Sequence, residues 1–162
     1  LSSWVLQDFA VGEIPCQLIE FDVNNRIYVM VFNRVDAARN HEVISEKTEE
    51  LGIEYRPNSY EVKFDLKDNF ETDNFFKRPS EMLSVVEVLR LGGLIKELLE
   101  FHYKNSNSEA YVFVAENQKL KKFYDRLANR YAEELNFKVK RELGEEGLGY
   151  EITTPNYKST TC

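Results

Sequence analysis

Between Ser84 and His102 the chain reads SVVEVLRLGGLIKELLEFH, a stretch apolar enough to form the centre of a fold, yet interrupted by two adjacent glycines. This pair constrains the architecture more than any other feature. Each glycine inside a helix costs roughly 1 kcal/mol against alanine, so Gly92 and Gly93 admit two readings. In the first, one helix of about 24 residues runs through them. Ser80 caps it, and Glu81, Ser84, Glu87, Arg90, Glu97, Glu100 and Lys104 trace a narrow wet stripe along an otherwise buried cylinder. In the second, LSVVEVL is a buried strand and Arg90-Leu91-Gly92-Gly93 turns the chain into a helix beginning at Leu94. The free amides of that new N-terminus, unobstructed by side chains, would form an anion site.

The flanking segments alternate in the manner of strands. Ile19, Phe21 and Val23 share one face of a strand over 17–23, and Val23-Asn24-Asn25-Arg26 supplies the asparagine pair of a tight hairpin. Ile27–Phe32 is apolar on both faces, as expected of a central strand. In YEVKFDLK, Tyr60, Val62, Phe64 and Leu66 point inward while Glu61, Lys63, Asp65 and Lys67 face water. Residues 109–117 form a short buried strand. QKLKKFYDRLANRYAEEL is an amphipathic helix, with Leu120, Phe123, Tyr124, Leu127, Tyr131 and Leu135 at three- and four-residue steps. FKVKREL, GEEG and LGYEITT then make a closing hairpin. Residues 36–56 are ambiguous, with a short helix within 41–51 ended by Gly52 as one reading. An arm or edge strand over 1–15 docked by Trp4 and a flexible tail over 155–162 complete the reading of one domain over 1–162. The class is α+β, with a mixed, mostly antiparallel sheet, one long buried helix and a second amphipathic helix.

Charge is unevenly placed. The whole chain carries −7; residues 1–76 hold 15 acids against 7 bases, giving −8, and residues 77–162 hold 13 against 14, giving +1. This balance speaks against nucleic acid as a partner and permits a protein with a basic surface. Candidate contacts are Glu49, Glu50, Asp68 and Asp73, with Phe70, Phe75 and Phe76 as aromatics in an acidic loop over 68–79. No apolar run approaches the ~20 residues of a membrane span, so no membrane partner is expected. Two cysteines, Cys16 and Cys162, and two histidines without ligand spacing give no metal site and no structural disulfide, and the setting expected is cytoplasmic. His41 and His102 read as surface or capping residues. Glu20 and Glu61 would act as general base only beside an amine-binding cleft.

RLGGLIKELLEFH, then YVFVAENQKLKKFYDRL, then LNF is similar to the core of the GNAT acetyltransferase superfamily. The resemblance covers about 50 of the 162 residues and implies a strand–helix–strand–helix order. It also implies acetyl-CoA as cofactor, with Arg90, Leu91, Gly92, Gly93 and Leu94 around the pyrophosphate, Asn117 at the family's asparagine, and Tyr124 protonating the leaving thiolate. The sequence departs from the pattern at Ile95, where Gly or Ala is usual, and at Asn136-Phe137, where Gly-Phe is usual. More of the chain resembles small phage-encoded proteins with a degenerate acetyltransferase-like core. The expectation is therefore a non-catalytic, acidic protein-binding module without cofactor, an inhibitor or adaptor, with an acetyl-CoA-dependent N-acetyltransferase as the alternative.

Overall fold

Asn24 and Asn25 close the first hairpin of the computed structural model, which describes residues 4–11, 14–35, 51, 57–71 and 83–157. Both asparagines have positive φ, 48° and 66°, the left-handed backbone a two-residue hairpin turn requires. They join β2 (Ile14–Val23) to β3 (Arg26–Val35) in register from Val23↔Arg26 to Cys16↔Asn33. On the outer side of β2 lies a short edge strand, β1 (Gln7–Val11). Trp4, just before it, packs edge-on against Phe101 with ring centroids 6.0 Å apart. On the inner side of β3, β4 (Ser59–Leu66) pairs antiparallel.

A single helical turn, α1 (Lys67–Glu71), follows β4 directly, where the sequence reads as loop. The long apolar stretch forms one unbroken helix, α2 (Val85–Ser106). Its N-cap is Ser84, whose side chain accepts from the Glu87 amide, rather than Ser80, which lies outside the described residues. Asn107 ends it in the left-handed region, donating its N–H to Tyr103 O. β5 (Ala110–Val114) leads into α3 (Gln118–Leu135), capped by Asn117 at its start and by Asn136, φ 60°, at its end. Asn136 occupies the conformation in which glycine is usual, and Phe137 after it is buried. The chain closes with β6 (Lys138–Leu143) and β7 (Gly149–Thr153).

The strands form one sheet in the order β1-β2-β3-β4-β5-β7-β6. Every neighbouring pair is antiparallel except β4 and β5. The architecture is thus α+β, mixed and mostly antiparallel, with a long helix and an amphipathic one.

The two helices cover one face. Ile19, Met30, Phe32, Val62, Tyr111 and Phe113 of the sheet meet Leu91, Ile95 and Leu98 of α2 and Tyr124 of α3 in a single core. Two expectations are corrected. The face carrying Glu61 is covered around that residue: Glu61 is 1% exposed, and Val29, Val31 and Val112 beside it are buried as well. Lys63 and Asp65 further along β4, and Lys67 just beyond it, are partly exposed. The wet side of α2 is also wider than the narrow stripe expected. Its stripe runs through Leu91, Ile95, Leu98, Leu99 and His102, whereas Val85, Val86 and Leu89 in the first two turns are 76%, 64% and 56% exposed.

Candidate functional site

The parallel pair β4 and β5 is hydrogen-bonded over three residues only, Ser59↔Ala110, Tyr60↔Tyr111 and Glu61↔Val112. Past Glu61 both strands continue, β4 to Leu66 and β5 to Val114, without pairing to each other. The sheet therefore opens at the carboxyl ends of its parallel strands, a position where α/β proteins commonly hold ligands. A cavity of about 270 Å³ lies there, between the ends of β4 and β5 and the first turns of α2 and α3. Phe64, Leu66, Leu91, Leu120 and Phe123 give it apolar walls, and Asp65, Glu116, Asn117, Lys119 and Arg126 give it polar ones.

The residues implied by the acetyltransferase resemblance divide across this geometry. Leu91 and Asn117 reach the cavity, and the Asn117 side-chain oxygen already accepts from the Leu120 amide at 2.9 Å. Gly92, Gly93 and Leu94 sit two turns inside α2, where each amide bonds the carbonyl four residues back. Gly92 is instead a packing site: a Cβ there would come within 2.7 Å of Leu127 Cδ2, so its bareness lets α3 approach α2. The Arg90 guanidinium donates to Asn24 Oδ1 at 2.6 Å, tying α2 to the β2–β3 turn. Tyr124 faces a different space, a wholly apolar cavity of about 70 Å³ bounded by α2, α3, β5, β6 and β7. It packs edge-on against Phe113 and Tyr150, and burial pushes its phenol well above the usual range, with the Glu116 charge adding to the rise.

Glu61 stands at the last paired position before the strands part. Its carboxylate lies 3.0 Å from Lys63 Nζ, outside hydrogen-bond geometry, and no other group among the described residues satisfies it. Glu20 is exposed and pairs with Lys67 at 2.9 Å. Of the proposed partner contacts, Asp68 is exposed on α1. Glu49, Glu50, Asp73, Phe75 and Phe76, like the side chain of Phe70 and the whole of His41, lie outside the described residues.

His102 is the residue that sequence reading misplaced. It is fully buried rather than at a wet helix end, with its ring stacked on Phe32 at 3.9 Å between centroids. Nε2–H donates to Gln17 Oε1 at 2.6 Å, leaving Nδ1 to accept from the Tyr111 hydroxyl at 2.7 Å. Ser108 Oγ contacts the same hydroxyl, and Ser106 Oγ donates to His102 O. Burial lowers the His102 pKa to about 4, so the imidazole is neutral at pH 7. The network is satisfied and remote from the cavity residues, which makes it structural. A signal existed: 91, 95, 98 and 102 follow the three- and four-residue rhythm of the buried stripe.

Among the described residues no group of His, Cys, Asp and Glu is arranged to hold a metal ion, and no helix is long and apolar enough to cross a membrane. Cys16 is buried. No family model matches the chain, and no curated protein or solved structure does so either.

Proposed function

We propose that this chain is a non-catalytic protein-binding module, an inhibitor or adaptor, built on an acetyltransferase-like scaffold. The order β4–α1–α2–β5–α3, followed by a hairpin, with α1 a single turn, supports the scaffold. One observation carries the non-catalytic reading: Tyr124 is shut into the helix–sheet core and does not line the cleft where a thioester would lie. A phenol raised by burial is also a poorer proton donor to a thiolate. The spent amides of Gly92 and Gly93 point the same way. Protein contact is favoured by the open aliphatic face of Val85, Val86 and Leu89. The acidic first half selects a partner with a basic surface.

A second reading, an acetyl-CoA-dependent N-acetyltransferase, is favoured by the cleft at the parting of β4 and β5, with Asn117 on its wall. Thermal melting separates the two. A coenzyme at about a hundredfold its Kd stabilises the native state by roughly 2.7 kcal/mol. The module reading expects no shift in Tm with acetyl-CoA, and a clear upward shift would contradict it. Association with a lysine-rich peptide should weaken with salt and on charge reversal at Glu49, Glu50, Asp68 and Asp73. Binding indifferent to both would count against the acidic half as the docking surface.

A further inference from the structure

Helix α3 carries an unpaired basic stripe on the rim of the cleft. Lys119, Lys122, Arg126 and Arg130 are all exposed, at steps of three, four and four. At 100° and 1.5 Å per residue they fall within an arc of about 80° and span about 17 Å. Among the described residues none of the four pairs with a carboxylate. Arg126 donates to the Lys122 carbonyl, and Arg130 lies over the Tyr131 ring at 5.5 Å. Counter-ions are not scarce nearby, because Lys121 of the same helix pairs with Asp125 at 3.1 Å and Glu134 pairs with Lys96 at 3.2 Å. A molecule of net charge −7 thus leaves one line of four cations without a carboxylate partner among the described residues.

The stripe adjoins an apolar recess. Lys119 and Arg126 line the cleft beside Leu120 and Phe123. Asp65 and Glu116 on the same wall oppose entry of an anion, so the recess suits an uncharged side chain while the rim suits carboxylates. We propose that this surface docks an acidic amphipathic segment of another protein. Carboxylates at three- and four-residue spacing on a partner helix would match the rungs of the stripe, and an aliphatic or aromatic anchor would enter the cleft. Nucleic acid fits less well, because a long polyphosphate extends beyond the stripe into the field of an acidic molecule. This surface has the opposite sign to the acidic half, and either can fail while the other stands.

The test uses the whole protein and a fluorescent synthetic peptide of about 16 residues, long enough to span the stripe, with glutamates on one helical face and leucines on the other. A scrambled peptide and a thymidine oligonucleotide of similar length serve as comparisons, and anisotropy is read at about 50 and 300 mM salt. The ordered peptide is expected to bind, to weaken severalfold at the higher salt, and to lose at least about tenfold with Lys122→Glu/Arg130→Glu. The milder Lys122→Gln/Arg130→Gln pair should show an intermediate loss and guards against misfolding of the reversal variant. No binding at low salt, equal affinity of the variants, equal affinity of the scrambled peptide, or tighter binding of the oligonucleotide would each overturn the proposal.

Discussion

Protonating His102 removes the acceptor that holds the Tyr111 hydroxyl, and it does so inside the core. Its pKa is about 4 in the fold and 6.5 in the unfolded chain, so between these values only the unfolded chain binds the extra proton. This contribution to stability is complete above pH 6.5 and declines as pH falls towards 4, by up to roughly 3 kcal/mol. Urea unfolding across that range should show the decline in the natural protein. His102→Phe should lower stability at pH 7 by about 1–3 kcal/mol for each polar partner left buried and unsatisfied, and should flatten this part of the pH profile. A second residue tests the opposite sign. Among the described residues Glu61 is a buried carboxylate without a hydrogen bond, and its one near cation, Lys63, is 41% exposed and can return to water. Glu61→Met, of similar volume, is therefore expected to leave the urea midpoint unchanged or raise it. A marked fall would show that the carboxylate has a stabilising partner. The burial of Glu61 was not legible in the sequence, and that of His102 only through its place in the rhythm 91, 95, 98, 102. Alternation in YEVKFDLK assigns Glu61 to a face but cannot say that the face is covered, and His102 takes its character from Gln17 and Tyr111, far away in the chain.

The two glycines of α2 separate at the level of the element. At Gly93 an added Cβ meets only the Tyr131 hydroxyl at 3.6 Å, an ordinary contact. Gly93→Ala should therefore raise stability by about 0.5–1 kcal/mol through helix propensity alone. At Gly92 the added Cβ stands 2.7 Å from Leu127 Cδ2, so the leucine must swing aside and part or all of that gain is lost. Thermal or urea unfolding of the two variants should rank Gly93→Ala above Gly92→Ala. The reverse order would contradict the packing of α2 on α3 described above. Helix α3 was readable to its ends, because Asn117 and Asn136 bracket a regular apolar rhythm. Helix α2 was not. Its apolar residues on both sides hid which turns are covered, and the exposure of Val85, Val86 and Leu89 depends on what lies beside them in three dimensions.

For the whole molecule, six of the seven strands among the described residues follow from local pattern and turn chemistry, while β1 lies in an arm without clear periodicity, and the order of the strands has no local signal. That β7 enters between β5 and β6, and that β4 and β5 part after three pairs, are matters of long-range pairing with no local signature. The cleft arises from that parting, so the sequence pointed to the glycines as the place for a coenzyme while the open space lies at the helix starts. A module closed to coenzyme requires the amides of Gly92 and Gly93 to be committed to α2, and amide hydrogen exchange reads this directly. Both amides should be protected to the degree of Leu98 and Leu99 further along the helix, and saturating acetyl-CoA should leave them unchanged. Rapid exchange at the pair in the free protein, or new protection there when the coenzyme is added, would contradict it.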